Sequence, residues 1–410
     1  MYKDTRGCRA CGHEQRDDVL AFGPMPLSDG LLSKSQLEEH EPRYPLTVLF
    51  CPECSLVQIR ETVEPDILFG ADYPYFSSFS DAWLRHCREN ALELIEKRRL
   101  DGSSLVLEIA SNDGYLLRNF VERGIPVLGI DPVPGPSAAA RAAGIPVREE
   151  FFTRALGEAL AAEGTRADVV LGNNVLAHVA DLPGFVDGIR AVLKDDGIAV
   201  IECPYVRDLI EHCEFDTIYH EHLCYFSVTS VSKLMARRGL TLVDVRRLPT
   251  HGGSLRLSIQ RQGAASAAVV QLLEEEREIG LDRLDYYRSF ATRVRNIQRE
   301  LNAMLSGLKA SGKTIAGYAA AAKGAILLNA SGIDTRLLDY VVDRNRHKHG
   351  KYMPGVHLPI YDTSKLLEAP RPDYVLMLAW NFKDEILRQQ QQFLAEGGRF
   401  IVPIPTPQVA

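Results

Sequence analysis

Short apolar runs alternate with segments of helical periodicity between about residue 80 and residue 260. This alternation is typical of a doubly wound α/β fold, because each strand of a parallel sheet needs a crossover helix before the next. The predicted strands are LVLEI (105–109), VLGI (127–130), DVVL (168–171), IAVIE (198–202), LTLVDVRRL (240–248) and SLRLSIQ (254–260). Only the turn PTHGG joins the last two runs, so we predict an antiparallel hairpin at the sheet edge.

The C-terminal third repeats this kind of pattern after a helical stretch. Residues 265–310 read as long amphipathic helices whose charged positions form a solvated face. Predicted strands follow at TIAGY (314–318), LDYVVD (338–343), YVLMLAWN (374–381) and GRFIVPI (398–404). We therefore predict a second, Rossmann-like α/β unit.

The N-terminal segment carries two CxxC pairs, Cys8 with Cys11 and Cys51 with Cys54. Two such pairs supply four thiolates, which complete a tetrahedral shell and leave no open position, so we predict a structural Zn²⁺. Four unrelated thiols or a redox pair are the alternatives, but no strand–helix unit follows either CxxC. We interpret the other cysteines as packing residues: Cys87, Cys203, Cys213 and Cys224.

Length and charge narrow the class of protein. A chain of 410 residues suggests two to four domains, and we place the boundaries at 1–72 (zinc-binding), 73–262 and 263–410. A net charge of −7 without a basic run gives no electrostatic support to a nucleic-acid partner. No apolar stretch reaches about 18 residues and no signal segment opens the chain, so we expect a cytoplasmic protein with no membrane partner. A monomer is compatible with the sequence, which does not reveal the oligomeric state.

The first strand of the middle segment ends in EIASNDGYLL, which differs from the GxGxxG turn of dinucleotide-binding folds. This segment has an acid at the strand end, a small residue and a polar turn, which suit a zwitterionic cofactor. It resembles motif I of S-adenosylmethionine-dependent methyltransferases. Ala110 stands where that motif has its first glycine. The candidate contacts in this turn are Glu108, Ala110, Asn112 and Gly114.

Three later segments follow the same methyltransferase pattern. Asp131 ends the second strand, in the place of a carboxylate that accepts both ribose hydroxyls. REEFF, with Glu150 and Phe151, falls where adenine contacts usually lie, and NNVLAH, with Asn173 and Asn174, where the methionyl group is usually held. The middle segment is therefore identified as a class I methyltransferase domain with a Rossmann-like fold.

The segment DTIYHEHLCYF (216–226) concentrates histidines, acids and tyrosines in a loop expected above the methyl-donor site. This segment has three possible interpretations: a second metal site, an internally hydrogen-bonded cap and a proton-transfer site. Methyl transfer to carbon needs a base that removes a C–H proton and a donor that stabilises the enolate, which histidine, carboxylate and phenol groups supply.

The chain resembles the zinc-containing nucleotide-sugar C-methyltransferases, which act on dTDP-linked 4-keto deoxysugars in antibiotic and cell-surface sugar pathways. The matching segments are CRACG, CPECSLVQ, DYPYFSS, EIASNDG, NNVLAHVADL, FDTIYHEHLCYFS, HGGSLR, GYAAAAKG, VVDRNRHKHG and MLAWN. The resemblance implies transfer of a methyl group to a carbon next to the ketone, with C-3 favoured over C-5.

The resemblance also implies roles for five residues. Tyr73 would face the sugar, His178 would line the pocket, and Tyr219, Glu221 and His222 would move protons, with His222 as the preferred base and Tyr219 as the second choice. In an extended segment Tyr219 and Glu221 would lie opposite His222, whereas in a helical turn Tyr219 and His222 would lie together. His220 receives no role.

The C-terminal unit would hold the nucleotide of the sugar. GYAAAAKG places main-chain amides and Lys323 at a helix N-terminus, where they could meet a diphosphate. An alanine-rich turn with a surface lysine is the competing interpretation. The full set of candidate substrate contacts is His251, Gly252, Ser254, Tyr318, Lys323, Asp343 and Asn381.

Three alternative functions compete with this interpretation: an O- or N-methyltransferase, a zinc-containing RNA methyltransferase and a non-catalytic scaffold.

Overall fold

The structure is a computed structural model that describes residues 2–68 and 76–410. The N-terminal part is antiparallel. Strands β1 (Tyr2–Asp4) and β5 (Glu61–Val63) form one pair. A four-stranded sheet has the order β11-β4-β3-β2. Its strands are β2 (Asp17–Met25), β3 (Tyr44–Phe50), β4 (Val57–Ile59) and β11 (Cys224–Tyr225). Strand β11 comes from the histidine-rich loop, so the N-terminal part and the middle part share a sheet.

The middle part is a seven-stranded sheet with the order β12-β13-β10-β9-β6-β7-β8. Its strands are β6 (Val106–Ile109), β7 (Val127–Ile130), β8 (Val147–Arg148), β9 (Ala167–Asn173), β10 (Leu193–Pro204), β12 (Thr241–Leu248) and β13 (Ser254–Gln260). Strands β6 to β10 pair in parallel, while β13 is antiparallel to β10 and to β12. The predicted hairpin at the sheet edge is confirmed, and the two-residue strand β8 was not predicted.

The C-terminal part is a six-stranded sheet with the order β16-β15-β14-β17-β18-β19. Its strands are β14 (Ile315–Tyr318), β15 (Val341–Asp343), β16 (Ile360–Asp362), β17 (Tyr374–Met377), β18 (Arg399–Val402) and β19 (Gln408–Val409). All neighbours pair in parallel except β18 and β19. The predicted second α/β unit is therefore present, with two edge strands, β16 and β19, that the apolar pattern did not reveal.

Helices cover the sheets and connect the three parts. The first seven are α1 (Pro65–Leu68), α2 (Asp81–Arg98), α3 (Arg118–Val121), α4 (Pro134–Ala142), α5 (Arg154–Ala162), α6 (Leu182–Val192) and α7 (Val206–Glu211). The others are α8 (Val228–Arg237), α9 (Ala267–Glu278), α10 (Leu284–Tyr287), α11 (Phe290–Ala310), α12 (Ala322–Ser331), α13 (Lys383–Gln389) and α14 (Gln391–Ala395). None of the helices in the described ranges combines the length and apolar composition of a membrane-spanning helix.

The loop between α7 and α8 is closed at its base. The main-chain N–H of Val206 donates to the carbonyl of Phe226 over 2.9 Å. Ser227 then caps α8, because its hydroxyl accepts from the N–H of Ser230 and the Ser230 hydroxyl accepts in return from the N–H of Ser227. The start and the end of the loop are therefore held at neighbouring positions.

A buried carboxylate of α9 reinforces this closure from outside. Glu276 accepts hydrogen bonds from the hydroxyl of Tyr205 over 2.8 Å and from the main-chain N–H groups of Val228 and Thr229 over 2.7 and 2.8 Å. The negative charge lies at the N-terminus of α8, where the helix dipole favours it. Helix α9, which falls after the predicted boundary at residue 262, thus packs on the middle part.

Replacing Glu276 with alanine should destabilise the protein by about 3 kcal/mol, because several buried donors lose their acceptor at once. Glu274 lies on the same helix but is exposed, so Glu274→Ala is the matched control and should change stability by less than about 0.5 kcal/mol. Thermal-unfolding midpoints of the two variants test this. Equal midpoints would show that the Glu276 clamp contributes nothing measurable.

Candidate active site

The histidine-rich loop runs from the methyltransferase sheet into the N-terminal sheet. Cys224 pairs opposite Gln58 and Tyr225 opposite Val57, and the N–H of Ile59 donates to the carbonyl of Leu223 over 3.0 Å. The second half of the loop is therefore an edge strand of the N-terminal sheet, and its position depends on that sheet.

His220, which received no role from the sequence, fastens the first half of the loop. Its ring is buried, and Nε2 donates to the main-chain carbonyl of Pro45 over 3.0 Å. The ring also meets Tyr44 edge-on with 5.9 Å between centroids. His220 therefore acts as a structural anchor between the loop and β3.

The four cysteines predicted to bind metal come together beside this sheet. Their sulfur atoms all lie within 4.8 Å of one another, which suits tetrahedral Zn²⁺ with bonds of about 2.3 Å. The ligand set is Cys8, Cys11, Cys51 and Cys54. A bound Zn²⁺ would cross-link the two CxxC turns and stabilise the fold rather than take part in chemistry, because four thiolates leave it no open position. The other cysteines are buried, which agrees with a packing role.

The second CxxC turn also supports helix α8. The Nζ of Lys233 donates to the carbonyl of Glu53 and to the hydroxyl of Ser55, both over 3.2 Å, and Arg237 pairs with the Glu53 carboxylate at 2.6 Å. Since α8 begins directly after the histidine-rich loop, the zinc site braces the loop at its C-terminal end as well as through β11.

Within the loop, a turn brings Tyr219 and His222 together. The N–H of His222 donates to the carbonyl of Tyr219 over 2.9 Å, and the two rings lie 4.0 Å apart between centroids. The ring of His178 approaches His222 from the segment after β9, with 4.9 Å between centroids. Of the two arrangements that the sequence left open, the structure has the turn, so three predicted catalytic residues form one cluster.

A main-chain contact defines the tautomer of His222. Its Nδ1 lies 2.8 Å from the carbonyl oxygen of Thr217, which can only accept, so Nδ1 carries the hydrogen and Nε2 has a lone pair. Burial, followed by the neighbouring His178, Lys323 and His251, lowers the pKa of His222 well below 6.5. The imidazole is therefore neutral at neutral pH and can accept a proton at Nε2.

His178 is held against the same loop. It ends a 3₁₀ turn (Leu176–His178), and the adjacent Ala177 carbonyl accepts from the N–H of Leu223 over 2.7 Å. Burial lowers the pKa of His178 to about 4, although a hydrogen bond to the main chain of Glu221 opposes this shift. Two neutral imidazoles therefore face each other.

Glu221 points to a different neighbourhood from His222. Its carboxyl group is buried, and burial together with the nearby Asp29 raises its pKa well above 4.5. Among the described residues no hydrogen bond or ion pair joins it to His222. The implied role of Glu221 in proton transfer stays a prediction.

The structure adds a second acid of the loop, Asp216, that the sequence analysis did not select. It is fully buried, and its Oδ2 accepts from the indole Nε1 of Trp380 over 2.7 Å. The Nζ of Lys323 lies 4.0 Å from Oδ1 and 4.6 Å from the centroid of the Trp380 ring. Asp216, Trp380 and Lys323 lie in FDTIYHEH, MLAWN and GYAAAAKG, three of the segments on which the resemblance to C-methyltransferases rests. That resemblance was the feature of the sequence that could have identified them.

The HGGS segment lines the same cleft. His251 and Gly252 have left-handed backbones, with φ of 56° and 91°. A side chain at Gly252 would collide with the Glu214 carboxylate, since a Cβ would lie 2.4 Å from its oxygens. The Ser254 hydroxyl donates to the Thr250 carbonyl over 3.0 Å, which holds the turn. Burial lowers the pKa of His251 to about 4.

A buried ion-pair network that sequence analysis missed lies beside this segment. Glu202, near the end of β10, accepts from Nε2 of His86 over 2.8 Å and from Nε of Arg256 over 2.7 Å. Trp83 stacks on His86 and also contacts His251, with 5.1 Å between centroids in both cases. The network connects α2, β10 and β13 at the carboxyl edge of the sheet.

The turn after β6 has the shape of a ligand cradle. Ala110, Asn112 and Gly114 all have left-handed backbones, with φ of 57°, 47° and 77°. Only glycine fits at position 114, where a Cβ would lie 2.2 Å from the side chain of Ile145. The predicted ribose ligand Asp131 orients the turn, since its Oδ2 accepts from the N–H of Asn112 over 2.9 Å.

Polar atoms left unsatisfied in this turn fit a zwitterionic ligand. The Ser111 hydroxyl, Oδ1 of Asp113 and Oδ1 of Asn173 are buried without a hydrogen-bond partner among the described residues. Buried polar atoms normally have partners, so these atoms are available to a cofactor. S-adenosylmethionine offers an ammonium group and hydroxyls that would pair with them.

The remaining predicted cofactor residues differ in how deeply they are buried. Glu108 is fully buried, and burial raises its pKa well above 4.5. Asn174 donates its N–H to the carbonyl of Glu202 over 2.8 Å. Glu150 pairs with an arginine on the surface, and Phe151 leaves its ring 43% exposed, available for a ligand to cover. Their contacts with a cofactor stay predictions.

Tyr73 lies outside the described residues. The nearby Ser77 and Ser78 rest on the cofactor turn: the N–H of Ser77 donates to Oδ1 of Asn112 over 2.9 Å, and the hydroxyl of Ser78 donates to the carboxylate of Asp113. The end of the DYPYFSS segment is thus attached to the cradle.

The other predicted substrate residues lie in the C-terminal unit. The carboxylate of Asp343 accepts from the N–H groups of Ala320 and Asn345, both over 2.7 Å, and so shapes the turn between β14 and α12. Tyr318 packs in the core of that unit, and Asn381 has a buried Oδ1 without a partner among the described residues. Only Lys323 of the C-terminal candidates joins the histidine cluster.

Comparison with known proteins adds the family. Three family models match: a zinc binding domain at residues 8–69, a methyltransferase domain at 82–245 and a C-methyltransferase C-terminal domain at 249–405. The C-methyltransferase NovU of Streptomyces niveus is 37% identical over 405 residues, which cover 98% of this chain and 96% of NovU. The chain belongs to this C-methyltransferase family. The predicted zinc-binding unit, S-adenosylmethionine-dependent fold and C-methyltransferase class are thereby confirmed.

More distant similarities involve parts of this C-methyltransferase. A ubiquinone biosynthesis O-methyltransferase of Methylobacterium nodulans is 36% identical over 103 residues, which cover 24% of this chain and 40% of that protein. The solved structure of the 1,6-didemethyltoxoflavin-N1-methyltransferase of Burkholderia thailandensis is 17% identical, covers 52% of this chain and 97% of that chain, and has a TM-score of 0.36.

Removing one cysteine ligand should release the metal. Cys54→Ser should lower bound zinc from about one ion per chain to well below one and should lower the unfolding temperature, since thiolate ligation contributes to folding. Elemental analysis and thermal unfolding measure both effects. Cys213→Ser changes a buried cysteine outside the cluster and should retain the metal. Retention of a full zinc complement by Cys54→Ser would contradict the four-cysteine site.

His251 should make stability fall in acid. Its folded pKa of about 4 lies below the unfolded value near 6.5. The unfolded chain therefore takes up the extra proton first, and stability that is complete above pH 6.5 is lost as the pH falls towards 4. His251→Asn, which tolerates the left-handed backbone, should remove up to about 2 kcal/mol of the stability difference between pH 7 and pH 5.

Thermal-unfolding midpoints of the wild type and His251→Asn at the two pH values check this. Buried acids such as Glu221 oppose the trend in both proteins, because their raised pKa values favour the folded state in acid. The comparison with the variant cancels that contribution. An identical pH dependence in the two proteins would refute a depressed pKa at His251.

Proposed function

We propose that this C-methyltransferase transfers a methyl group from S-adenosylmethionine to the carbon next to the ketone of a dTDP-linked 4-keto deoxysugar, with C-3 favoured. The observation that supports it most directly is the neutral His222, whose Nδ1 donates to a carbonyl and whose Nε2 is available as a base. Carbon next to a ketone becomes nucleophilic only after deprotonation, so a base of this kind is required.

The neighbouring groups support the same reaction. The Tyr219 ring lies 4.0 Å from the His222 ring, and the His178 ring lies perpendicular to His222 at 4.9 Å, so a phenol and a second imidazole adjoin the base. The cofactor, when bound in the cradle after β6, would supply an electrophilic methyl group. The nucleotide would occupy the carboxyl edge of the C-terminal sheet near Asp343 and Asn381, and the sugar would lie between the two units.

Deuterium exchange tests the deprotonation step without the methyl donor. The wild type in D₂O should exchange the C–H next to the ketone of the sugar nucleotide, as followed by proton NMR. His222→Asn should lower this rate by about 10²- to 10⁴-fold, the usual contribution of a general base, and Tyr219→Phe by about 10- to 100-fold.

His40→Asn supplies a matched control, because His40 is exposed on the N-terminal part. This variant should exchange at the wild-type rate. Near-full exchange by folded His222→Asn and Tyr219→Phe would eliminate the proton-transfer role of the cluster. A wild type that methylates the sugar without any exchange, and yields an O- or N-methyl product, would overturn the proposed function.

A further inference from the structure

Lys323 brings a cation into the cleft from the first turn of α12. Its side chain is only 15% exposed, its Nζ lies 4.6 Å from the centroid of the Trp380 ring, and the nearest carboxylate oxygen, Oδ1 of Asp216, is 4.0 Å away. Within residues 2–68 and 76–410, Nζ donates no hydrogen bond. The ammonium group has three donors and no hydrogen-bond acceptor among these residues, so it can donate to an acceptor of a bound ligand.

The residues around the ammonium group hold it in place. Trp380 supports it through a cation–π contact and also donates its indole N–H to Oδ2 of Asp216 over 2.7 Å. Asp216 is fully buried, and its Oδ1 is left without a hydrogen-bond partner among the described residues. The position of Lys323 is therefore determined by the catalytic loop and by the C-terminal unit together.

Lys323 acts electrostatically on the candidate base. Its charge is one of the influences that lower the pKa of His222 and of His251, and it also acts on Glu214 of the same loop. Together with the 4.0 Å approach of its Nζ to Asp216, this influence associates Lys323 with the histidine-rich loop.

The same surroundings disfavour a diphosphate. A diphosphate would bring its negative charges beside the buried carboxyl groups of Asp216 and Glu214, which repel it when ionised and, when neutral, offer little in return for the water that the diphosphate loses. A ketone oxygen brings no charge on binding and develops one only during deprotonation. The site thus suits an oxygen whose charge appears in the reaction better than an anionic group.

We propose that Lys323 is a catalytic residue that donates an N–H to the ketone oxygen of the sugar and stabilises the enolate, rather than a ligand of the diphosphate. In this step the C–H bond breaks and its proton passes to Nε2 of His222. The electron pair forms the carbon–carbon double bond, and the carbonyl π pair moves to oxygen, opposite the Lys323 ammonium group. The inference rests on the proposed function, because it names the group that stabilises its intermediate.

Lys323→Met tests the charge while it keeps the apolar stem over Trp380. Exchange of the sugar C–H in D₂O, without methyl donor and at saturating substrate, should fall by about 10²- to 10³-fold, the usual cost of losing an oxyanion donor. The dissociation constants for dTDP and for S-adenosylmethionine should stay within about twofold. Lys323→Arg keeps the charge and should retain more exchange than Lys323→Met.

The pH profile separates this role from a structural one. Removing a cation next to His222 raises the pKa of the base, so the acid limb of exchange against pH should move to higher pH in Lys323→Met and stay near its wild-type position in Lys323→Arg. The other groups next to or acting on His222, namely Tyr219, His178, His251 and the Thr217 carbonyl, are the same in all these proteins. Lys309→Met, a change on the outer helix α11 where Lys309 pairs with Asp339, should leave exchange unchanged.

Three outcomes would overturn the inference. Exchange by Lys323→Met at the wild-type rate would remove the catalytic role. A rise in the dTDP dissociation constant of about tenfold or more, with exchange intact, would assign Lys323 to the diphosphate instead. Failure of the wild type to exchange, together with an O- or N-methyl product, would overturn the proposed function itself, and with it this role. Lys323→Gln provides the same comparison should the methionine variant not fold, and binding of S-adenosylmethionine reports folding in each sample.

Discussion

A buried carboxylate at the base of the catalytic loop is the constraint on which the rest of the site depends. Glu276 holds Tyr205 on one side of the loop and the first N–H groups of α8 on the other. With both ends fixed, the chain between them has few conformations to lose when it folds over the cleft. The candidate catalytic residues are thus positioned by hydrogen bonds that lie outside the histidine cluster.

The zinc-binding unit completes this positioning and explains why a small metal-containing unit accompanies a methyltransferase. Pairing of Cys224 and Tyr225 with β4 makes the loop part of the N-terminal sheet, and His220 anchors it to Pro45. The metal site in turn supports α8 through Lys233 and Arg237. The N-terminal unit therefore holds the histidine-rich loop and α8 in position.

Electrostatics of the cleft follow from its burial. Burial lowers the pKa of His178, His222 and His251 and raises that of Asp216 and Glu221, so both kinds of group favour their neutral forms. A neutral imidazole can take a proton from carbon, and a low local dielectric strengthens any interaction with charge that develops later. In such surroundings the ammonium group of Lys323 acts on both His222 and His251.

The sequence by itself determined the features that depend on neighbours along the chain. CxxC spacing identified the zinc ligands, apolar runs located most strands, and the PTHGG turn predicted the hairpin of β12 and β13. Short edge strands such as β8 and β16 were not predicted, because an alternating pattern of apolar and polar residues cannot be recognised in two or three residues. The contact between Tyr219 and His222 and the approach of Lys323 to Asp216 were decided only by tertiary structure. They depend on packing between segments far apart in sequence, which no local pattern of residues encodes.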